Sequence, residues 1–141
     1  MDKQAIATTG APKAIGPYSQ AIIAGDQVWC SGQIAIDPRT GEVVEGGMEA
    51  ETRQILRNLK AVLEAAGSAL DRVVKTTVYM TDLREFARMN EIYGEYFPGV
   101  PPARATVEVG ALPKGVSLEI EAVALRRLEP GSRSQGAGGG A

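Results

Sequence analysis

Residues 100–125 read VPPARATVEVGALPKGVSLEIEAVAL, and apolar and polar side chains alternate in two runs of this stretch. The polar positions of the two runs are Arg104, Thr106 and Glu108, then Glu119 and Glu121. Alternation with a period of two predicts two strands, each with one buried face. The glycines and prolines between the runs predict a turn. If the two strands pair, Arg104, Glu119 and Glu121 share the polar face of one ribbon.

This polar face has two interpretations. Charged side chains on a half-buried sheet are most often solvated surface groups that contribute little to stability. A guanidinium beside carboxylates on a rigid sheet could instead bind a small carboxylic acid and place a water molecule. Alternation alone favours the first interpretation, because exposure is the rule for charged side chains.

The composition is that of one domain, since 141 residues are enough for a proper core. The chain has 15 basic and 17 acidic residues and no basic cluster, which argues against a nucleic-acid surface. No apolar run reaches membrane-spanning length, and the first residues lack the apolar segment of a secretory signal. A single cysteine, Cys30, cannot form an internal disulfide. We therefore expect a cytoplasmic protein with neither a membrane nor a nucleic acid as partner.

The chain contains no histidine. Ser-His and Cys-His nucleophilic systems and His-bearing metal sites are therefore excluded, and one cysteine cannot build a thiolate metal site. We expect neither a metal nor a cofactor. Catalysis would have to use carboxylates, Tyr, Arg, Lys, backbone groups or ordered water, which restricts it to reactions with low barriers.

The other patterns predict an edge strand at 5–9, a hairpin turn at Gly25-Asp26, a short strand at 42–44, a helix over 48–66 ended by Gly67, and a strand at 73–80. Asp82 and Glu85 resemble a capping box that opens a second helix. Asn90 lies on the apolar stripe of that helix, where a buried amide usually bonds a backbone group. Two helices can cover only one face of the sheet, which predicts a two-layer α+β domain. We assign the domain to residues 1–128, and the Gly- and Ser-rich residues 129–141 to a flexible tail, either a linker or an expression remnant.

Several short motifs follow one another along the chain. They are GPYSQ at 16–20, SGQ at 31–33, TGE at 40–42, NL at 58–59, VKTTV at 74–78, PARATVEV at 102–109, LPKG at 112–115 and LEIEA at 118–122. In type and order they resemble the motifs of the YjgF/Rid family of reactive-intermediate deaminases, and the RidA-like subgroup in particular. The resemblance extends to about Arg127. It implies a homotrimer with a chorismate-mutase-like fold, in which ligand sites lie in the clefts between subunits.

The resemblance also implies an activity, the hydrolysis of short 2-imino acids or their enamine tautomers to 2-keto acids and ammonia, without metal or cofactor. It maps the family's substrate-binding arginine onto Arg104, whose planar fork can hold a carboxylate through two parallel hydrogen bonds. It maps the glutamate that helps to hold the attacking water onto Glu119. Thr106 stands where many relatives have cysteine, and the family's backbone carbonyl at this position is thought to orient water.

The same resemblance places Tyr18, Ser31, Gly32 and Asn90 at the ligand pocket. For Tyr18 the structural alternative is packing at the rim or in the core. For Gly32 the alternative is a bulge in a strand. Glu121 is assigned a structural role, and Cys30 is interpreted as a small packing residue.

Three other functions stay open. A non-catalytic module of the same fold could bind 2-keto acids, in which case Arg104 matters and Glu119 does not. A ribonuclease or translation inhibitor, a role attributed to some relatives, disagrees with the acidic net charge and the lack of histidine. A chorismate-mutase-like isomerase would share only the fold, and fold does not fix function.

Overall fold

The computed structural model describes residues 2–127 as a mixed α+β domain in which two helices cover one face of a six-stranded sheet. The strands are β1 (Lys3–Ile6), β2 (Ala21–Ala24), β3 (Gln27–Gln33), β4 (Ile36–Asp37), β5 (Glu42–Val43), β6 (Val73–Met80), β7 (Ala103–Glu108) and β8 (Leu118–Leu125), and the helices are α1 (Gly47–Ala65) and α2 (Phe86–Tyr96). β4 and β5 form a separate two-stranded ladder. The expected α+β class is confirmed. The predicted tail at 129–141 lies outside the described residues.

The large sheet has the strand order β1-β2-β3-β8-β6-β7. Its neighbours are antiparallel except β6 and β7, which are parallel and are connected through α2. β6 lies between β7 and β8, so that Thr76 aligns with Arg104 on one side and with Ala122 on the other. The expected ribbon of β7 and β8 is therefore wrong. The connection between them carries the chain across β6 instead of forming a hairpin.

The two alternating runs bury different kinds of side chain. In β8 the apolar positions are buried beneath the helices, as predicted; they are Leu118, Ile120, Ala122 and Ala124. In β7 the prediction of an apolar buried face is wrong: Arg104 and Thr106 lie half-buried on the helix side, and Ala105 and Val107 are exposed on the other. β7 is the edge strand, where the helical layer leaves the sheet partly open and polar side chains can reach solvent.

Helix α1 forms where the periodicity predicts it. Its buried stripe includes Ile55, Leu59 and Val62. Gly67 follows the helix with φ at +79°, and the amides of Gly67 and Ser68 donate to the carbonyls of Glu64 and Leu63 over 3.1 and 2.8 Å. This left-handed glycine ends the helix as expected. Within residues 2–127, neither this helix nor any other has the length and apolar character needed to cross a bilayer.

The local turn predictions hold with one adjustment. Ala24 pairs with Gln27 around the two-residue turn at Gly25-Asp26, which confirms the hairpin. The strand predicted at 73–80 is β6. A carboxylate oxygen of Asp82 accepts a hydrogen bond from the Arg84 amide over 2.9 Å, but it caps a short 3₁₀ turn, and α2 begins only at Phe86.

The face of the sheet opposite the helices, called the outer face below, is uncovered in the single chain. Trp29 leaves 52% of its surface exposed there and Val107 leaves 41%. Ile22 and Val123 flank Trp29 in register on the two neighbouring strands and are half-buried. A row of apolar side chains across three strands is typical of a surface that contacts another protein chain.

Candidate functional site

A cleft of about 740 Å³ opens beside the outer face, between the segment that precedes β2 and the first residues of β8. Tyr18, Ser31, Gly32 and Glu119 line it together with Glu121. Four residues that sequence resemblance places at a ligand pocket therefore lie in one cleft. We call Tyr18, Ser31, Gly32 and Glu119 the carboxylate half-site.

Glu119 lies directly over Gly32. The ladder between β3 and β8 is irregular between Cys30 and Gln33, so Gly32 lies in a bulge of β3. A Cβ atom at residue 32 would overlap Oε2 of Glu119 and would stand 2.9 Å from its Cδ. The bulge that was the structural alternative for Gly32 is present, and the group that approaches its backbone is the Glu119 carboxyl.

The surroundings of Glu119 favour proton transfer. Burial raises the pKa of its carboxyl above the usual value for glutamate, and the negative charge of Glu121 adds to this effect. Tyr79 aligns with Glu119 across the ladder. The pKa of Tyr79 is also raised, by burial first and then by Glu121 and Glu119. A carboxylate with a raised pKa is a better proton acceptor than a solvated one.

The wall of the cleft is fixed by the buried amide of Gln20. Its Oε1 accepts from the Thr8 amide over 2.7 Å, and its Nε2 donates to the carbonyls of Thr8 and Pro12 over 3.1 and 2.8 Å. The Ser31 hydroxyl donates to the Ser19 carbonyl over 2.6 Å. Ser31 thus shapes the cleft through the backbone, whereas the half-exposed Tyr18 stands at its rim.

Arg104 lies in a second polar region, at the edge strand β7. The Cζ atom of its guanidinium is 4.8 Å from the ring centroid of Tyr93 and 5.4 Å from that of Phe86. The Tyr93 hydroxyl is 2.7 Å from Oγ1 of Thr76, and both residues are buried. Among residues 2–127 no carboxylate forms an ion pair with Arg104. Its positive charge is thus not neutralised within these residues and is available to an anionic ligand.

Thr106 and Asn90 lie on the same side as Arg104. Thr106 is two residues further along β7, hence on the same face, and is half-buried. Asn90 lies between Phe86 and Tyr93 at helical spacing, and it is exposed. The expectation that Asn90 is a buried capping amide is wrong, because α2 turns this part of its stripe toward the open edge of the sheet. We call Arg104, Thr106 and Asn90 the arginine half-site.

The two half-sites lie on opposite faces of the sheet. Arg104 aligns with Thr76, and Glu119 aligns with Tyr79, three residues further along β6 and therefore on the other side. One chain consequently cannot bring Arg104 and Glu119 to the same small molecule. The expected proximity of the two charges on one ribbon is wrong within the chain.

Sequence reasoning missed several residues of these regions. Phe86 and Tyr93 belong to the same apolar stripe as Asn90, and nothing local indicates that Arg104 lies over them. Glu121 was assigned a structural role although it lines the cleft. Gln20 had a detectable signal, since it belongs to the GPYSQ motif. Its buried contacts depend on a loop twelve residues away. Within the described part of the chain no cluster of three or more acidic or thiol groups could hold a metal ion.

Known proteins are similar to this chain in sequence and in fold. The family model described as Endoribonuclease L-PSP matches residues 8–126. A RutC family protein of Pyrococcus horikoshii is 56% identical over 124 residues, which cover 88% of this chain and 98% of that protein. The human protein named 2-iminobutanoate/2-iminopropanoate deaminase is 48% identical over 124 residues, 88% of this chain and 90% of its own. The crystal structure of a conserved Rid family protein from Yersinia pestis has a TM-score of 0.86 and 50% identity, and covers 88% of this chain and 99% of that one. The chain is thus a member of the YjgF/Rid family.

Proposed function

We propose that this protein is a RidA-type deaminase that hydrolyses 2-iminobutanoate, 2-iminopropanoate and similar short imino acids to 2-keto acids and ammonia. The observation that carries the proposal is the Arg104 guanidinium, which no carboxylate of residues 2–127 neutralises. The 48% identity to mammalian proteins named as such deaminases supports it. The acidic chain without histidine supports it over the endoribonuclease that the family model's description names.

In the proposed mechanism Arg104 binds the substrate carboxylate through two parallel hydrogen bonds. Glu119 holds a water molecule, and the backbone carbonyl of Thr106 helps to orient it. The water oxygen attacks C2, and the electron pair of the C=N bond moves to nitrogen. Two protons of the water reach the nitrogen in turn by way of Glu119, so ammonia leaves and the oxygen stays as the keto group. Tyr18, Ser31, Gly32 and Asn90 shape the pocket, and the reaction needs no metal or cofactor.

A working site requires both half-sites, and they lie on opposite faces of one chain. We therefore propose a homotrimer in which the arginine half-site of one subunit meets the carboxylate half-site of its neighbour. The exposed apolar residues of the outer face, Trp29 and Val107 among them, support such an assembly. We place this trimer in the cytoplasm, beside the enzymes that release imino acids.

The first test couples the protein to a threonine dehydratase that supplies 2-iminobutanoate, and follows 2-oxobutanoate release. We expect acceleration by the wild type and its loss in Arg104→Ala and Glu119→Ala. If 2-oxobutanoate binds but the wild type does not accelerate release, the protein is a binding module for 2-keto acids, and the deaminase proposal is wrong.

A second test asks whether the two half-sites come from different subunits. Arg104→Ala and Glu119→Ala chains are unfolded together, refolded as mixed assemblies and assayed. If each site joins two neighbours, about a quarter of the sites at equal mixing contain both intact residues, and activity returns. Absence of recovery in mixed assemblies of the expected mass would contradict a shared site.

A further inference from the structure

Two aromatic rings contact the Arg104 guanidinium, where a carboxylate partner would be usual. Tyr93 and Phe86, two turns apart on α2, both present their rings to the guanidinium, at 4.8 and 5.4 Å from Cζ. Tyr93 is buried, and its ring packs against Phe97 at 4.7 Å between centroids. We call Phe86 and Tyr93 the aromatic cradle.

A residue of the sheet holds the aromatic cradle in place. Thr76 aligns with Arg104 in the parallel ladder, and its Oγ1 is 2.7 Å from the Tyr93 hydroxyl. The strand that fixes the backbone of Arg104 therefore also fixes the ring beneath its side chain. Both partners of this hydrogen bond are buried, so the ring has little freedom to move away.

An aromatic ring holds a guanidinium differently from a carboxylate. The ring attracts the cation through its quadrupole, whereas a carboxylate would neutralise the charge and occupy the N–H fork. A free arginine on an edge strand would otherwise lose considerable rotamer entropy when it binds a ligand. An aromatic contact limits this freedom in advance and leaves donors for a carboxylate.

We infer that Phe86 and Tyr93 are positioning residues, which hold the Arg104 guanidinium in the orientation that binds the carboxylate of a 2-imino or 2-keto acid. The inference rests on the proposed function, because it takes Arg104 as the carboxylate anchor. It adds a pair of aromatic side chains to the residues on which substrate affinity depends.

The test measures the dissociation constant of 2-oxobutanoate by titration calorimetry for assembled variants. We expect Tyr93→Leu and Phe86→Leu each to weaken binding about tenfold, the effect of losing one desolvated cation–π contact. Tyr93→Phe keeps the ring and should restore most of the affinity. The Nε–H proton signal of Arg104, shifted by the ring currents in the wild type, should return toward the value of a solvated arginine in Tyr93→Leu.

Phe97→Leu is the matched control, since it removes a buried ring from the same aromatic group without touching Arg104. It should lower the melting temperature and leave the dissociation constant unchanged. Equal weakening by Phe97→Leu, or wild-type affinity in folded Phe86→Leu, overturns the inference. If Tyr93→Leu fails to fold, the Phe86→Leu variant still tests the inference, because Phe86 is only half-buried. Wild-type affinity in Arg104→Ala would instead refute Arg104 as the anchor, and with it the proposed function.

Discussion

At position 32 the carboxyl of Glu119 fills the space that the Cβ atom of any other residue would take. Gly32→Ala should displace this flexible side chain with little change in stability. We expect kcat to fall roughly tenfold to a hundredfold, since a displaced base loses its alignment with water. The measurement is the dehydratase-coupled assay, with thermal unfolding of the same samples.

Gly94→Ala is the control for this change, because Gly94 lies in α2 and no atom stands within 4 Å of an added Cβ. It should retain activity and gain slightly in helix stability. Wild-type turnover in Gly32→Ala would show that the position of the Glu119 carboxyl over Gly32 is unimportant.

The raised pKa of Glu119 predicts the pH dependence of the reaction. The carboxyl accepts a proton only when ionised, so kcat/KM should fall on acidification at a higher pH than for an ordinary glutamate. Burial is the main cause of the raised pKa and Glu121 the second. Glu121→Gln removes a like charge and should move the acidic limb to lower pH. Lys13 and Lys114 line the same cleft and are not altered by this substitution. Tyr79 loses the contribution of Glu121 to its raised pKa and still stays neutral in this acidic range.

The control is Glu64→Gln on the exposed side of α1, which should leave the profile in place. An unshifted profile in Glu121→Gln would mean that Glu121 does not influence the titrating group. Sequence reasoning could name Glu119, because it falls in a family motif. Sequence reasoning could not explain why the pKa of Glu119 is raised, because the causes come from residues that only the fold brings together.

At the scale of elements, the segment before β2 depends on one side chain. Gln20→Ala removes the hydrogen bonds to Thr8 and Pro12 and leaves their backbone groups without partners. We expect the free energy of unfolding to fall by about 1–3 kcal/mol. Pro12 and Lys13 line the cleft, so affinity for 2-oxobutanoate should weaken as well. Urea unfolding and calorimetry measure the two effects.

Gln4→Ala on the exposed edge strand β1 is the corresponding control and should change neither quantity. If Gln20→Ala were as stable as the wild type, the segment at 8–12 would be held by other contacts.

The elements that sequence patterns predicted correctly are those whose signal is local. The stripe of α1, the glycine that ends it and the turn at Gly25-Asp26 each depend on residues close in the chain. The ribbon of β7 and β8 was predicted wrongly, because β6 enters between them from a distant part of the sequence. Alternation located β7 but did not reveal which of its sides the helices cover. The proximity of Arg104 and Glu119 within one chain was misjudged for the same reason.

For the whole molecule, the exposed apolar row on the outer face predicts assembly. Trp29→Lys places a charge where Trp29 is 52% exposed in the single chain, and it should yield folded monomers without deaminase activity. Size-exclusion chromatography with light scattering measures the mass, and circular dichroism confirms the fold.

Trp29→Phe keeps an apolar ring and should retain both assembly and activity. An active trimer in Trp29→Lys would contradict the assignment of the outer face as an interface. The sequence predicted the two-layer architecture from element order. The family resemblance implied sites between subunits, and the register adds a physical reason for the proposed assembly, because it places Arg104 and Glu119 on opposite faces of one chain.

Because Cys30 is packed inside the protein, the reactivity of its thiol can be used to follow unfolding. Its thiol is buried and its pKa is raised to about 12, so in the folded protein it hardly reacts with alkylating reagents. Once the chain opens, the thiol recovers ordinary reactivity, and Cys30 is the only cysteine of the sequence. Alkylation of an unmodified sample therefore reports the opening of strand β3 around Cys30. The rate of Cys30 alkylation is thus a measure of local unfolding under native conditions.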